Sequence, residues 1–407
     1  MDVTLQQSKT ISRQSSITIT GSKSESNRLL LLQALYPEIE IDNLSNSDDS
    51  KVMLKALKSQ EKIIDIHHAG TAMRFLTAFF AIQEGREVIL TGSSRMKERP
   101  IRVLVDALNS LGADISYLET EGCPPLKIKG KLLKKDKVTL KANVSSQYIS
   151  ALLLIAPKLK SGLELALEGE IASVPYINMT LELLTKKGIK TSFVNNVIKV
   201  DHRPQTTNHK SYIESDWSSA SYFYSIVALS ELGTEIKLSS YKQNSLQGDS
   251  FLATIYKDFG VRTIFEDNSI RIEKTGDCQL KTANYHLNNS PDIAQTIAVT
   301  CFGLGIACHL TGLHTLKIKE TDRLSALKTE LEKLGAKVTI SEDSVTLKAS
   351  TSIKTNERIS TYNDHRMAMA FAPLALMTSL QIEDATVVSK SYPTFWKDLK
   401  SIGFKIT

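Results

Sequence analysis

The spacing of five glycines constrains the fold of this 407-residue chain more than any other feature. They recur at intervals of 68 to 76 residues, and each follows a run of helical periodicity and precedes a strand-like run: Gly112, Gly188, Gly260, Gly335 and Gly403. Apolar residues lie one, four and eight positions before three of them, as Leu334, Leu331 and Leu327 do before Gly335. The pattern predicts a repeated amphipathic helix that ends on a glycine in the left-handed conformation.

A second predicted helix is apolar on nearly every face, is therefore expected to be buried, and alternates with the first. Its expected starts are near Ser24, Gly70, Ser146, Ser218, Pro291 and Asp364. The chain then divides into six units of about 70 residues, each reading strand, buried helix, strand, amphipathic helix and strands. Three units per domain predict two α/β domains with a boundary near residues 212–215, and a chain this long is expected to divide because single cores rarely grow further.

Polar and basic side chains gather where the predicted buried helices begin. Serine, threonine and aspartate there are explained by N-capping, whereas arginine in the first turn, as at Arg28, Arg74 and Arg366, is not. Helix N-termini bind anions, and arginine adds paired donors for carboxylate or phosphate. The excess of 50 basic over 44 acidic residues is modest. It suits small anionic substrates and gives no indication of nucleic-acid binding.

The segment Lys319-Glu320-Thr321-Asp322-Arg323 places two cations four residues apart where an amphipathic helix is predicted to begin. Cations at the positive end of a helix are explained by an anionic ligand. The alternative is a solvent-exposed face on which the charged residues of the segment neutralise one another. An isolated segment of this kind favours the alternative, and the repeated basic helix starts favour the ligand.

Six segments, in chain order, carry a resemblance to a known family. They are residues 21–28 (GSKSESNR), 69–74 (AGTAMR), 95–101 (RMKERPI), 145–147 (SSQ), 319–323 (KETDR) and 362–369 (YNDHRMAM). With them the chain resembles the 5-enolpyruvylshikimate-3-phosphate synthases, the 3-phosphoshikimate 1-carboxyvinyltransferases of the shikimate pathway to chorismate and aromatic amino acids. The resemblance implies two similar α/β domains, each of three βαβαββ units, with the active site in the interdomain cleft. The expected domains are residues 20–213 and residues 1–19 with 214–407.

The resemblance also implies the reaction. The enolpyruvyl group of phosphoenolpyruvate is expected to move to the 5-hydroxyl of shikimate 3-phosphate, with release of phosphate and without a metal or an organic cofactor. The expected partners are these two small molecules, with no nucleic acid and no membrane. A cytoplasmic monomer is the expected state.

Position within the motifs implies a set of substrate contacts. Those expected for shikimate 3-phosphate are Lys23, Ser24, Arg28, Ser145, Ser146, Gln147, Ser173, Tyr176, Asp292 and Lys319. Of these, Ser145, Ser146, Ser173 and Lys319 are expected to contact its phosphate group. Those expected for phosphoenolpyruvate are Lys23, Gly70, Arg99, Gln147, Arg323, Arg366 and Lys390. A pocket this basic suits two substrates that both carry carboxylate and phosphate groups.

The expected chemistry needs one group that accepts the hydroxyl proton and another that protonates C3 of phosphoenolpyruvate. The resemblance implies Asp292 for the first role and Glu320 for the second, with Lys23 as a further participant in proton transfer. Taken alone, Asp292 is also explained as a helix N-cap, and Glu320 as a surface partner of Lys319.

Three positions depart from the family pattern. His68, Phe75 and Thr315 stand where asparagine, proline and asparagine are usual; His68 is expected at the pocket edge, and Phe75 is expected to repack its helix. Gly70 is retained, which implies that glyphosate competes with phosphoenolpyruvate.

Two alternatives of function remain open at this point. The sister enzyme that transfers enolpyruvyl to UDP-N-acetylglucosamine typically carries a reactive loop cysteine, and residues 92–99 (GSSRMKER) contain none. A noncatalytic anion-binding relative would not need both Asp292 and Glu320 beside its cations.

Cysteine and hydropathy patterns limit the class further. The four cysteines are scattered without a CxxC pair, which indicates a reducing compartment and neither a disulfide framework nor a structural metal site. The first 20 residues lack the basic and apolar regions of a signal peptide. Residues 293–316 carry no acid, lysine or arginine, but contain glycines and polar residues, and predict a buried helix followed by a buried strand rather than a membrane span.

Overall fold

The computed structural model describes residues 1–8, 11–142, 145–203, 205 and 209–407. The strands, numbered in chain order, are β1 Val3–Gln6, β2 Gln14–Ile17, β3 Glu40–Asp42, β4 Ile63–Asp65, β5 Glu87–Thr91, β6 Asp114–Tyr117, β7 Leu126–Lys129, β8 Lys137–Lys141, β9 Leu163–Glu168, β10 Thr191–Val194, β11 Val197–Val200, β12 Lys210–Tyr212, β13 Glu235–Ser239, β14 Val261–Glu266, β15 Ser269–Lys274, β16 Thr282–His286, β17 Ala307–Thr311, β18 Val338–Ile340, β19 Val345–Leu347, β20 Glu357–Ile359, β21 Leu380–Ile382 and β22 Lys405–Ile406.

The α-helices are α1 Lys23–Leu35, α2 Asp48–Lys58, α3 Gly70–Ala81, α4 Ser94–Lys97, α5 Arg102–Leu111, α6 Ser146–Ile155, α7 Val174–Lys186, α8 Trp217–Leu229, α9 Leu252–Ile255, α10 Ala294–Gly303, α11 Arg323–Lys333, α12 His365–Phe371 and α13 Phe395–Ser401. Short 3-10 helices cover Ala156–Lys158, Gly248–Phe251, Pro291–Ile293, His314–Ile318, Ala372–Leu376 and Ala385–Lys390.

The chain forms two compact units. One is Ser22–Ile213, called here the N-terminal unit, and the other joins Met1–Gly21 to Glu214–Thr407, called here the C-terminal unit. Sequence placed the domain limits at 19/20 and 213/214. The assignment of these units as domains stays a prediction.

The N-terminal unit contains two sheets of one topology. Their strand orders are β4-β5-β7-β6 and β8-β9-β11-β10, and in each the first two strands are parallel and the remaining neighbours antiparallel. In β8, Val138 and Leu140 face the interior and alternate with exposed residues, as a half-buried strand requires. A parallel pair, β3 with β12, forms the third sheet of this unit.

The C-terminal unit contains three four-stranded sheets. Two of them, β2-β13-β15-β14 and β16-β17-β19-β18, have the order 1-2-4-3, and in the third, β20-β21-β1-β22, strand β1 from the start of the chain takes the third place. Strand β2 supplies the first strand of one sheet by pairing in parallel with β13. Strand β1 lies between β21 and β22 and is antiparallel to both. The first strands of the chain therefore belong to the C-terminal unit, and the fold is mixed α/β.

The predicted buried helices begin where expected. Helices α1, α3, α6, α8 and α12 start at or next to the predicted residues, and a 3-10 turn at Pro291 leads into α10. Serine or aspartate caps four of these helices: Ser22 for α1, Ser145 for α6, Asp216 for α8 and Asp364 for α12. Capping at these positions explains why the helix starts are readable from sequence.

The repeated glycines adopt the predicted conformation. All five have a positive φ, between 78° and 112°. At Gly112, the C-cap of α5 with φ 110°, a side chain would be strained, because L-residues other than glycine rarely adopt this region.

The apolar segment 293–316 forms the predicted buried helix α10 followed by strand β17. The strand is half-buried and not buried as expected, because exposed His309 alternates with buried Cys308 and Leu310. Within the described part of the chain, no helix combines the length and the apolar character needed to cross a bilayer. The four cysteines are free thiols.

Candidate active site

Arg323 is the centre of a buried charge cluster in the C-terminal unit. It is the first residue of α11, directly after the N-cap Asp322, and its side chain is 2% exposed. Its guanidinium donates from Nη1 to Asp292 Oδ1 at 2.9 Å, from Nε to Asp364 Oδ2 at 2.6 Å and from Nη2 to Glu320 Oε2 at 2.9 Å. Burial opposes the charge of Arg323, but these carboxylates raise its pKa. The alternative of an exposed, self-neutralised segment is therefore wrong.

Asp292 lies in the 3-10 turn Pro291–Ile293 and faces three cations. Besides Arg323, it accepts a hydrogen bond at Oδ2 from Arg366 Nη2 at 3.0 Å, and Lys319 Nζ is 3.5 Å from its Oδ1. Burial favours the neutral acid, yet the charges of Arg366, Lys319 and Arg323 hold the pKa of Asp292 well below its usual range. Ser290, and not Asp292, occupies the cap position of the turn, so the N-cap interpretation of Asp292 is wrong.

Glu320 joins the cluster to the 3-10 helix Ala385–Lys390. Its Oε1 accepts from Lys390 Nζ at 2.9 Å, while its Oε2 accepts from Arg323. Both side chains are mostly buried, at 13% exposure for Glu320 and 10% for Lys390. The interpretation of Glu320 as a surface residue is therefore wrong.

Asp364 has two roles in this cluster. It is fully buried, caps α12 by accepting from the Arg366 backbone N–H at 2.9 Å, and accepts from the Arg323 side chain. One carboxylate thus positions the backbone of one arginine and the guanidinium of another. Asp364 explains how two arginines stay close together in a buried position.

The cluster holds four cations with three carboxylates. The cations are Lys319, Arg323, Arg366 and Lys390, and the carboxylates are Asp292, Glu320 and Asp364. Burial lowers the pKa of Lys319, although Asp292 opposes this effect. An entering anion can compete with the carboxylates for these cations, because they are already oriented and largely removed from water.

The N-terminal unit has its own set of cations, beginning with Lys23 at the start of α1. Lys23 Nζ lies 3.1 Å from Asp49 Oδ2, and the two side chains are 16% and 7% exposed. Sequence reasoning missed Asp49, because an acid in the first turn of α2 is explained by the helix dipole.

Arg28 is buried where α1, α6 and α7 meet. Its guanidinium donates to Thr180 Oγ1 at 2.8 Å, Ser150 Oγ at 2.9 Å, and the backbone oxygens of Ser24 at 2.8 Å and Tyr176 at 3.1 Å. Burial lowers the pKa of Arg28 to about 10. Four of its five N–H groups are used inside the protein, so its expected contact with shikimate 3-phosphate stays a prediction.

Gly70, the first residue of α3, lies directly beside Arg99. A Cβ placed on Gly70 would be 2.7 Å from Arg99 Nη1. Arg74 holds the two segments together, because it donates to the Gly70 oxygen at 3.2 Å and to the Pro100 oxygen at 3.0 Å. Tyr148 adds a 2.5 Å hydrogen bond to the same Pro100 oxygen. This network, which sequence reasoning did not identify, positions Arg99.

The three polar residues at the start of α6 have separate roles. Ser145 caps the helix, Ser146 is buried, and Gln147 donates from Nε2 to Thr71 Oγ1 at 3.1 Å, which links α6 to α3. Ser173 precedes α7 in the left-handed conformation, with φ 57°, and its hydroxyl makes no capping bond within the described structure. A strained non-glycine residue of this kind is typical of a functional site.

The departures from the family pattern have defined environments. His68 is exposed, with Nδ1 2.8 Å from Ser93 Oγ. Phe75 is fully buried, and the centre of its ring lies 5.5 Å from the Arg28 guanidinium carbon. Its effect therefore extends beyond its own helix to a predicted site residue. Thr315 is buried. Among the described residues there is no group of three histidine, cysteine or acidic side chains suited to a metal ion.

Each α/β unit contains two sheets of the order 1-2-4-3 and has basic side chains at helix starts. These features define a class of proteins suited to binding small compounds with several anionic groups. Residues 58–399 match the family model described as EPSP synthase (3-phosphoshikimate 1-carboxyvinyltransferase). The chain belongs to the EPSP synthase family.

Similar proteins cover nearly the whole chain. A Bacteroides fragilis protein named 3-phosphoshikimate 1-carboxyvinyltransferase is 47% identical over 395 residues, which are 96% of this chain and 95% of that protein. A Pasteurella multocida protein of the same name is 37% identical over an alignment of 417 positions, which covers 93% of this chain and 93% of that protein. The solved structure of EPSP synthase from Acinetobacter baumannii has a TM-score of 0.78 at 19% identity and covers 100% of this chain and 99% of its own. At this level of identity, the similarity to the Acinetobacter baumannii structure shows that the two chains share a fold.

Proposed function

We propose that this protein transfers the enolpyruvyl group of phosphoenolpyruvate to the 5-hydroxyl of shikimate 3-phosphate and releases phosphate. Membership in the family and the names of its relatives support the reaction. The observation that carries the proposal is the Arg323 guanidinium, which binds Asp292 and Glu320 at the same time. Two carboxylates beside cations supply both proton transfers that the reaction needs.

In this proposal, shikimate 3-phosphate is bound mainly by hydroxyl, amide and basic groups of the N-terminal unit. These are Lys23, Ser24, Arg28, Ser145, Ser146, Gln147, Ser173 and Tyr176, to which the C-terminal unit adds Asp292 and Lys319. The strained backbone of Ser173 and its position before α7 support a phosphate contact.

In this proposal, phosphoenolpyruvate is bound by groups of both units, most of which are cations. The N-terminal unit offers Lys23, Gly70, Arg99 and Gln147, and the C-terminal unit offers Arg323, Arg366 and Lys390. Two observations support this set. Gly70 lies beside Arg99, and the three C-terminal cations share the carboxylates of Asp292 and Glu320. The expectation that glyphosate competes with phosphoenolpyruvate belongs to the same proposal.

The proton transfers follow from the competition between substrates and carboxylates for the cations. As substrate anions engage Arg366 and Lys319, Asp292 loses part of the charge that lowers its pKa and becomes a stronger base. Asp292 then accepts the 5-hydroxyl proton as the oxygen bonds to C2 of phosphoenolpyruvate, and Glu320 protonates C3. Glu320 then takes a proton back from C3 as the bond from C2 to the phosphate oxygen breaks, and phosphate leaves with the proton that Asp292 accepted. Lys23, paired with Asp49, is proposed to assist proton transfer.

We also propose that the protein acts as a monomer in the cytoplasm. The free thiols fit a reducing compartment. Transfer to UDP-N-acetylglucosamine is the alternative, and the absence of cysteine from residues 92–99 disfavours it.

A phosphate-release assay tests the reaction. Phosphate is expected only when phosphoenolpyruvate and shikimate 3-phosphate are both present, because the C2–O bond is cleaved after the acceptor has been added. Each substrate is omitted in turn as the control, and UDP-N-acetylglucosamine replaces shikimate 3-phosphate in a further reaction. Release without shikimate 3-phosphate, or release that requires the UDP-sugar, would contradict the proposal.

Replacing Gly70 by alanine is expected to raise the KM for phosphoenolpyruvate about tenfold. The new methyl group displaces the Arg99 guanidinium, the end of a flexible side chain, so the fold is expected to be kept. Steady-state kinetics and the melting temperature measure the two effects. Gly276→Ala is the matched control, because its Cβ meets no atom within 4 Å. An unchanged KM in Gly70→Ala would show that Arg99 does not contact phosphoenolpyruvate.

A further inference from the structure

Asp249 is a buried acid next to the charge cluster, and the proposed chemistry does not use it. It lies in the 3-10 turn Gly248–Phe251 and is 2% exposed. Its Oδ2 accepts a short hydrogen bond from the Ser218 hydroxyl. Its Oδ1 has no hydrogen-bond partner among the residues that the structure describes. A buried acid with one unused oxygen requires an explanation.

Ser218, in α8, connects Asp249 to Arg366. The single hydroxyl proton of Ser218 is donated to Asp249, so its lone pairs remain for Arg366 Nη2, which donates to Ser218 Oγ at 3.3 Å. The same Nη2 donates to Asp292 Oδ2 at 3.0 Å. The Asp249 carboxyl group therefore sets the direction of the hydroxyl that helps to hold Arg366.

The charged groups around Asp249 come from three other elements. They are Asp216 at the N-cap of α8, Asp292 in the turn before α10 and Arg366 in α12. Burial and then the charge of Asp292 raise the pKa of Asp249 to about 7, although Arg366 and the Ser218 hydrogen bond act in the opposite direction. Asp249 therefore changes its charge close to neutral pH, beside an arginine that is proposed to bind substrate.

We infer that Asp249 is a positioning residue for the proposed reaction, which holds Arg366 through Ser218 and whose ionisation reduces the positive charge that Arg366 offers to phosphoenolpyruvate. This inference rests on the proposed function. With the proton present, Asp249 is neutral and Arg366 keeps its ion pair with Asp292. With the proton lost, a second carboxylate competes with the substrate anion for the same arginine.

The first test is the pH profile of kcat/KM for phosphoenolpyruvate in Asp249→Asn. Asparagine keeps the size and an acceptor oxygen for Ser218 but cannot ionise, and kcat/KM reports groups that titrate in the free enzyme. The ratio of parent to variant is expected to fall about tenfold between pH 6 and pH 8.5, as Asp249 ionises in the parent. The ionisation of phosphoenolpyruvate affects kcat/KM equally in both proteins, so its effect cancels in the ratio.

The control is Glu214→Gln. Glu214 is a second buried acid of the C-terminal unit with a raised pKa, and it accepts from Trp217 and Ser245. The Glu214→Gln variant is expected to keep the pH profile of kcat/KM that the parent shows. An Asp249→Asn profile parallel to that of the parent, or an equal change in Glu214→Gln, would overturn the inference.

The second test separates the hydrogen-bond path from the charge. Ser218→Ala is expected to raise the KM for phosphoenolpyruvate about three- to tenfold with little change in kcat, because Arg366 is proposed to bind ground state and transition state alike. Ser230→Ala, at the C-cap of the same helix, is the control and is expected to leave both constants unchanged. A loss confined to kcat, or an equal loss in both variants, would contradict the path through Ser218.

A stability measurement tests the Asp249 titration without turnover. When the pKa of an acid is higher in the folded than in the unfolded protein, the folded protein becomes less stable as pH rises between the two pKa values. For Asp249 this window runs from about 4 to about 7. The melting temperature of the parent is therefore expected to fall relative to Asp249→Asn across this window and to stay parallel above it. If this shift occurs and no phosphate is released by the parent, the proposed function fails and the titration stands. If the shift is absent, the inference fails whatever the activity.

Discussion

Asp292→Asn is expected to lower kcat by about 100- to 10,000-fold while substrates still bind. Asparagine keeps the size of the side chain and one acceptor oxygen, which serves either Arg323 or Arg366 but not both. The backbone oxygen of Asp292, which the substitution leaves in place, still accepts from Arg366 Nη1 at 3.0 Å. Asparagine cannot take the 5-hydroxyl proton, which is the role proposed for Asp292. Steady-state kinetics measures kcat, and equilibrium titration with shikimate 3-phosphate measures binding.

Asp322→Asn is the matched control for this substitution. Asp322 is the N-cap of α11, one residue before Arg323, and asparagine caps helices about as well as aspartate. Near-normal turnover is expected. Turnover of Asp292→Asn within a fewfold of the parent would remove Asp292 as the base, and a collapse of both variants would indicate a local folding defect.

Arg323→Ala is expected to lower the free energy of unfolding by about 3–5 kcal/mol and to abolish turnover. The substitution removes the one guanidinium that binds Asp292, Glu320 and Asp364. The buried Asp364 loses its arginine partner, while the other two carboxylates keep only Lys319, Arg366 and Lys390. Denaturant titration measures the loss. The deficit is expected to grow as pH rises from 5 to 8, because the carboxylates then have raised pKa values in the folded variant and ionise more easily when it unfolds.

Arg358→Ala is the control for this prediction. Arg358 also pairs with two carboxylates, Asp2 and Glu383, but its side chain is 58% exposed. Exposed ion pairs contribute little to stability, so a much smaller loss is expected. Equal losses in the two variants would show that burial of the Arg323 cluster does not govern its stability.

Much of the fold could be predicted from sequence, because its repeated elements are encoded locally. The periodic apolar residues before Gly335 and the capping residues Ser145 and Asp364 act within one helix or turn, and the structure confirms each of them. The pairing of β1 with β21 and β22 is different in kind. The resemblance implied only that residues 1–19 join the C-terminal domain, and no local pattern in the first six residues specifies a partner strand nearly 380 residues away.

The candidate site could be predicted in part. The motifs identified the cations and two carboxylates, but not the partners that hold them. Asp49 looks like an ordinary first-turn acid, and Asp249 has no distinguishing sequence pattern. Ser218 was predicted as a helix start, without its bonds to Asp249 and Arg366. These roles depend on side chains from different elements, so spacing along the chain carries no signal for them.

For residues 319–323, the sequence by itself determined the charges, the helix start and the Asp322 cap. It left open whether these charges neutralise one another at the surface. Only the tertiary structure decided that Arg323 is buried among three carboxylates, two of which, Asp292 and Asp364, are distant in the sequence. The physical reason is that capping and periodicity act over a few residues, whereas burial and the pairing of distant charges exist only once the whole unit has folded.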